Sequence, residues 1–289
     1  MRNAFYKGHG LGNDYIALDS DGLDFELTSE NVRAICDRNR GIGGDGVLAL
    51  VSSERAHFGL RIYNPDGSEA EKSGNGLRIF AGYLFATRRT RRRKLRIETR
   101  AGIVGVELHV DANGDASRAT VAMGHASFRP GLLPCTLDGS ELVDRPLRAA
   151  GRDLRFTGVS VGNPHCVVFK SAPEEWTRDE LLVLGPALER HEIFPQRANV
   201  QLAVPTGPRT LSILIWERGA GETLASGTSA CAAAAAAVRL ALVRSPVAVR
   251  APGGTLGVVV DAHFDLTLDG EVAEVARGRL SPAFLRMLS

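Results

Sequence analysis

Two short stretches, Ser73-Gly74-Asn75 and Ser226-Gly227-Thr228, are the parts of this chain best suited to chemistry. Each sets a hydroxyl and a glycine where a Gly-rich loop gives way to an apolar run, and so at the predicted start of a helix. Backbone N–H groups without intrahelical partners, together with the helix dipole, make such a start attractive to an anion. Gly74, Gly76 and Gly227 let a ligand come close. Two such starts directed at one ligand would grip a carboxylate from both sides. On spacing alone Ser73 and Ser226 read as N-caps, the commonest use of serine in that place. The polar residues Asn64, Asn163, Asn199, Glu217 and Arg218 shift the reading towards a binding site, with Asn64 and Glu217 at corresponding ends of corresponding strands. An Arg–carboxylate fork beside a Glu–ammonium pair suits an amino acid, although a Glu-Arg pair by itself is usually a surface ion pair.

The elements that must position these residues recur along the chain. Ser73 and Ser226 differ by 226 − 73 = 153 positions, and the same offset aligns Glu69 with Glu222, Ile62 with Ile215, Tyr63 with Trp216 and Ala81 with Ala234. Gly12-Asn13 aligns with Gly162-Asn163 at 162 − 12 = 150. A strand–loop–helix context that repeats in this way implies two similar α/β domains. In the first half the pattern predicts strands at 15–18, 47–51, 58–63, 95–98 and 104–110. It predicts helices from Ser29, as N-cap, to Arg38 and from Asn75 to Thr87. In the second half a strand ends at 159–163, further strands fall at 211–216, 247–250, 256–260, 264–268 and 273–276, and helices span 179–190 and 228–243. The last of these helices contains Ala230 and Ala232–Ala237. It has almost no side-chain bulk and little polar face, which predicts a helix wrapped closely by a curved sheet. Its counterpart, Leu77–Phe85, is bulkier but also largely apolar.

Composition bounds the function class. The chain has 289 residues, 44% apolar and 24% charged, which suits one large or two medium globular domains rather than a disordered or fibrous protein. Lys plus Arg total 35 against 33 for Asp plus Glu, so the chain as a whole is not built to bind nucleic acid. The cluster Arg88, Arg89, Arg91, Arg92, Arg93, Lys94 and Arg96 has no interleaved aromatics and reads as a solvated face. Cys36, Cys135, Cys166 and Cys231 are widely spaced, which argues against a disulfide framework or a structural zinc site. No apolar run follows the basic residues of the start, so no secretory signal is expected. The longest stretch of small apolar residues, Ala230–Val238, is too short to span a bilayer. The expected compartment is the cytoplasm and the expected partner a small-molecule amino acid, with no nucleic acid and no membrane.

Four stretches then carry a likeness to a known family. They are Gly10-Leu11-Gly12-Asn13-Asp14-Tyr15, the run from Asn64-Pro65-Asp66-Gly67 to Ser73-Gly74-Asn75-Gly76, Gly162-Asn163-Pro164-His165, and the run from Glu217-Arg218-Gly219-Ala220 to Ala225-Ser226-Gly227-Thr228. Long, ordered and spread over nearly the whole chain, they resemble the signatures of the diaminopimelate epimerases. The resemblance implies an α+β fold of two similar domains, each a curved mixed sheet wrapped around a central helix, with the active site in the cleft between them. Residues 1–120, completed by 277–289, would form one domain and 121–276 the other. It implies a homodimer, no metal and no organic cofactor, and interconversion of LL- and meso-diaminopimelate in lysine and cell-wall precursor synthesis. One group removes the α-proton and a second, opposite, delivers a proton to the other face. The helix starts stabilise charge developing on the carboxylate. By position, Ser73 and Ser226 would be the acid/base groups. Gly74, Asn75, Gly227 and Thr228 would hold the reacting carboxylate. Asn64, Asn163, Asn199, Glu217 and Arg218 would hold the rest of the substrate, with Asn13 nearby.

The sequence departs from the family pattern at the chemistry itself. The resemblance places catalytic cysteines at positions 73 and 226, and both are serine here. A thiol has an ordinary pKa of about 8.5, easily lowered at a helix N-terminus. An aliphatic hydroxyl is a far weaker acid and needs a helper base. Three explanations stand. The serines are natural and the site polarises them for the same substrate. Or they are natural and the protein is a related isomerase or racemase of another small acid, with Lys72 or His165 as base. Or they replace cysteines deliberately, as a pair of changes that traps a ligand. Lys72 and Ser229 also differ from the commonest family loops, which favours a natural divergent branch. A ligand-binding homologue without proton transfer is the rival class. Cys166 and Cys231 are expected to be packed thiols. Gly46 stands where some relatives carry a glutamine, so the loop Gly41–Gly46 is expected to leave a contact unfilled or more room.

Overall fold

The computed structural model describes residues 2–171 and 174–288. Two compact units result, Met1–Ala122 with Gly270–Ser289, and Met123–Asp269. In unit 1, β1 (Ala4–Gly10) pairs antiparallel with β2 (Asn13–Asp19), which runs parallel to β3 (Val47–Val51) after a crossover through α1 (Ser29–Cys36). β3 is antiparallel to β4 (Phe58–Tyr63). β4 takes the short β5 (Glu69–Ala70) on one end and runs parallel to β6 (Lys94–Thr99) after a crossover through α2 (Gly74–Ala86). The antiparallel β7 (Gly102–Val110) and β8 (Ala116–His125) follow.

Unit 2 reproduces this order. β9 (Arg145–Ala149) and β10 (Arg152–Ser160) lead to β11 (Pro164–Phe169), parallel to β12 (Asn199–Gly207) through α3 (Arg178–Glu189). β12 is antiparallel to β13 (Thr210–Glu217), which carries the short β14 (Gly221–Thr223) and runs parallel to β15 (Val247–Ala251) through α4 (Gly227–Arg239). β16 (Gly254–Val260) and β17 (Asp265–Glu271) complete it. Parallel neighbours need a crossover, and in both units a helix supplies it. α2 and α4 have 13 residues each and start 227 − 74 = 153 positions apart, the offset read from the loops.

Each of these two helices lies inside the curve of its sheet. α2 buries every residue from Gly74 to Leu84 and touches β1, β2 and β7; α4 touches β10, β11, β12, β13, β15 and β16. Residues Ala230 to Ala237 of α4 are at most 1% exposed. Alanine has the highest helix propensity and no bulk beyond Cβ, so strands approach α4 from several sides. α1 buries Val32, Ile35 and Cys36 against Ile16, Leu18 and Val47, and α3 buries Leu181, Leu184 and Leu188 against Phe156, Cys166 and Val168.

Several boundaries differ from the sequence reading. The cap of α1 is Thr28, whose side chain accepts the Asn31 N–H at 3.2 Å. Ser29, expected in that role, donates instead to the Gly67 carbonyl at 3.0 Å. α4 ends at Arg239 rather than Val243, and Ala241 beyond it takes a left-handed φ of 57°. Leu240, Leu242 and Val243 are apolar and hid the stop. β1, β8, β9, β11 and β12, with the short β5 and β14, lie outside the strands that the sequence pattern predicts. The chain returns to unit 1 at Gly270, ahead of residue 277, because β18 (Ala273–Arg279) pairs antiparallel with β1 from Ala4↔Arg279 to His9↔Ala273. α5 (Pro282–Leu285) follows, and Leu280 and Leu288 join the core under α1. Among the described residues no helix is long and apolar enough to cross a membrane.

The enclosure of α4 leaves no room for bulk. Ala234→Leu should cost about 1–3 kcal/mol of stability by overpacking. Urea unfolding reads this, and an unchanged midpoint would show that α4 is not closely wrapped.

Candidate active site

In unit 1 the site is built on the start of α2. Ser73 is its N-cap, extended at φ −139° and ψ 121°, and its Oγ accepts the Gly76 N–H at 3.0 Å. Ser73 Oγ also lies 3.3 Å from the phenolic Oη of Tyr15 on β2. Gly74 and Asn75 are buried beside it. Asn75 leads into a chain of side chains. Arg78, fully buried one turn into α2, donates Nη1 to the Glu271 carbonyl at 2.8 Å and Nη2 to Asn75 Oδ1. Asn75 Nδ2 donates to Asn13 Oδ1 at 2.9 Å, and Asn13 Nδ2 donates to Asp45 Oδ2 at 2.8 Å. A guanidinium can only donate and an ionised carboxylate can only accept. The ends of the chain therefore fix the orientation of both amides between them.

Asp45 is held in turn. Arg38 donates to Asp45 Oδ1 and to Asp14 Oδ1, each at 2.7 Å, and Lys7 Nζ stands 3.1 Å from Asp14. Burial acts to raise the Asp14 pKa, but the hydrogen bonds from Arg38 and Lys7 prevail and hold it below the ordinary carboxylate value. Lys72, beside Ser73, turns its Nζ to the Ala122 carbonyl at 3.3 Å. Asn64 stands in the turn after β4, with Nδ2 donating to Ser68 Oγ at 3.0 Å. Gly46 does not leave open space. A Cβ there would lie 2.3 Å from the Tyr63 carbonyl oxygen and 2.7 Å from Cε1 of Tyr15, so the Tyr15 ring fills the room that a side chain would need.

In unit 2 the start of α4 has the same backbone but different bonds. Ser226 sits at φ −145° and ψ 126°, caps no helical N–H through its side chain, and places Oγ 3.4 Å from Thr228 Oγ1. Gly227 is buried. Asn199 joins the two neighbouring loops. Its Nδ2 donates to the Pro164 carbonyl at 3.0 Å and its Oδ1 accepts the Arg218 N–H at 2.9 Å. Its amide is thus engaged with backbone at both ends, and it acts first as a clamp. Glu189, 2% exposed, accepts Trp216 Nε1 and the Gly219 N–H, both at 2.9 Å, and so fixes the turn that carries Glu217 and Arg218. Arg218 Nη1 reaches the Gln196 carbonyl at 3.3 Å.

Asn163 Oδ1 lies 2.9 Å from Nε2 of His165. His165 is fully buried, and burial pushes its imidazole down to about 3. A ring so reluctant to take a proton is a poor helper base. Of the thiols, burial and then the carboxylates of Asp45 and Asp14 push Cys36 up to about 12, and burial raises Cys166. Cys231 is buried in α4.

The structure therefore brings Ser73, Gly74, Asn75 and Asn13 together in unit 1, and links Asn163-Pro164, Asn199 and Glu217-Arg218 in unit 2, while Ser226, Gly227 and Thr228 form a separate group at the start of α4. Sequence reasoning missed Tyr15, Arg78, Asp45 and Glu189 as parts of these clusters. Tyr15 lay within a quoted motif, but the signal for the others is a contact between distant segments.

The sequence profile described as diaminopimelate epimerase matches residues 5–129 and 157–273. Diaminopimelate epimerase 2 of Nostoc sp. is 41% identical over 96% of this chain and 95% of its own length. The chain belongs to the diaminopimelate epimerase family. A diaminopimelate epimerase of Methanothermobacter thermautotrophicus is 40% identical over 93% of this chain and 94% of its own. Solved structures share the family's fold at lower identity. A predicted epimerase from Pseudomonas aeruginosa superposes with a TM-score of 0.67 at 19% identity, covering 96% of this chain and 99% of that one. A probable proline racemase from Agrobacterium radiobacter gives 0.70 at 13%, covering 98% and 95%.

Two measurements check the geometry of this diaminopimelate epimerase homologue. Asn199→Ala leaves the buried Pro164 carbonyl without this donor and the Arg218 N–H without this acceptor, and should cost about 1–3 kcal/mol in urea unfolding; a neutral effect would remove the clamp. Because the Asp14 pKa is lowered in the folded state, its stabilisation is present above the unfolded value, near 3.8, and is lost as pH falls through the lower folded value. The stability difference between wild type and Asp14→Asn should hold steady above about pH 5 and shrink on further acidification. A difference that stays constant down to the acid limit would show that Asp14 carries no such shift.

Proposed function

We propose that this protein is a cofactor-independent epimerase that interconverts LL- and meso-diaminopimelate. The observation that carries the reading is the same Ser-Gly helix start in both units, at one offset and with nearly the same backbone angles. It occurs in a chain 41% identical, over 96% of its length, to a protein named for that reaction.

In this reading Ser73 and Ser226 are the two acid/base groups for one substrate. The Cα–H bond breaks towards one oxygen, its electron pair passes into the carboxylate, and a proton from the other oxygen forms the new C–H bond on the opposite face. N–H groups at Gly74, Asn75, Gly227 and Thr228 receive the charge that develops on the carboxylate, already oriented by the helices and so without reorganisation. Asn64, Asn163, Glu217 and Arg218 hold the distal part of the substrate, Asn199 keeps two of their loops in register, and Asn13 steadies Asn75. The protein works in the cytoplasm as a homodimer, making a precursor of lysine and the cell wall.

Incubation with pure LL-diaminopimelate in D₂O tests the assignment. Deuterium at one α-carbon together with meso product is the expected outcome. Binding without exchange would make the protein a ligand-binding homologue, and absence of binding would remove the substrate. The joint change Ser73→Cys with Ser226→Cys should raise the exchange rate by on the order of 10²-fold, since thiols ionise far more readily than hydroxyls. An unchanged rate would count against both positions.

A further inference from the structure

Ser73 and Ser226 occupy matching places but have different neighbours. Ser226 Oγ faces another aliphatic hydroxyl, that of Thr228, at 3.4 Å. Ser73 Oγ faces a phenol, that of Tyr15, at 3.3 Å. The Gly76 N–H donates into Ser73 Oγ, so the cap bond engages a lone pair and leaves the hydroxyl proton available towards Tyr15 Oη. Tyr15 is 7% exposed. Its ring fills space beside Gly46, where a Cβ would fall 2.7 Å from ring atom Cε1. Ser73 and Gly46 thus both lie against the same phenol.

A phenol ordinarily loses its proton near pH 10, far below an aliphatic hydroxyl. When a phenol and an alcohol share one proton deficit, the negative charge resides on the phenol. Resting on the epimerase reading above, we propose that Tyr15 is the helper base of Ser73, acting through it as a relay. With Tyr15 as phenolate, Ser73 Oγ takes the substrate's α-proton while its own proton passes to Tyr15 Oη. One C–H and one Oγ–H bond break, one Oγ–H and one Oη–H bond form, and the electron pair stays on the α-carbon, delocalised into the carboxylate. The reverse sequence delivers a proton to that face. No oxidant, reductant or added group is required.

Tyr15→Phe removes Oη and keeps the ring. The experiment follows deuterium incorporation in D₂O from both LL- and meso-diaminopimelate as a function of pH, and substrate affinity by calorimetry. For the isomer that turns its α-proton to Ser73, the wild type should speed up as pH rises towards the phenol's range. Tyr15→Phe should lose that rise and at least on the order of 10²-fold in rate, with affinity unchanged. Adding Ser73→Cys to Tyr15→Phe should restore exchange to the level of Ser73→Cys alone, because a thiol needs no helper; this also shows that the variant is folded. Exchange by Tyr15→Phe at the wild-type rate and pH profile would overturn the relay and leave the epimerase reading intact. Failure of Ser73→Cys to rescue would also overturn it, making Tyr15 a packing residue. A wild type that binds the substrate without any exchange would overturn the epimerase reading, and the relay with it.

Discussion

A helix enclosed by its own sheet can meet a ligand only at its ends, and that constraint organises both units. The flanks of α2 and α4 are engaged in packing from the first turn onward. At the N-terminal mouth the first N–H groups point out of the helix and the residues are small. The donors are part of a rigid element, so they need not reorganise when charge appears in front of them. Residue choice follows from the enclosure. Glycines stand at the mouth, and the flanks of α4 are alanine because strands press on several sides.

The two units share this frame and differ in the polar groups that stiffen it. Unit 1 runs a one-way chain from donor-only Arg78 through Asn75 and Asn13 to acceptor-only Asp45. Unit 2 instead ties loops to backbone, with Asn199 bridging Pro164 and Arg218 and Glu189 holding the Trp216–Gly219 turn. Duplication therefore preserves strand order and helix placement, which depend on burial, while side-chain networks diverge, since many different polar sets can satisfy the same buried groups.

The same distinction explains what was legible in the sequence. The 153-residue offset exposed both helix starts, because Ser-Gly followed by a small apolar run is a local signal. The alanine run disclosed an enclosed helix for the same reason. Arg78 and Glu189 were not legible, since an Arg in a helix and a Glu at a helix end ordinarily face water; only the fold turns them inward. Asn199 looked like a ligand contact because its backbone partners come from two other segments. Thr28 lost to Ser29 in the reading because the two are adjacent and equally able to cap. The link from Gly46 to Tyr15 could not be read from either residue, since it is a matter of occupied volume.

The pairing of β1 with β18 has an effect on how the molecule is made. β1 finds its first neighbour in β2 but its second only in β18 (Ala273–Arg279), beyond all of unit 2, and the core under α1 needs Leu280 and Leu288 as well. Unit 2, by contrast, is one uninterrupted stretch of chain. Emerging from the ribosome, the inserted half holds all of its own partners before the outer half does, so the half that begins first closes last. Until then the β18-facing side of β1 is an unsatisfied edge of the kind that invites wrong pairings. The half that carries the Ser73 and Tyr15 hydroxyls is thus the one with the longest wait for its final strand.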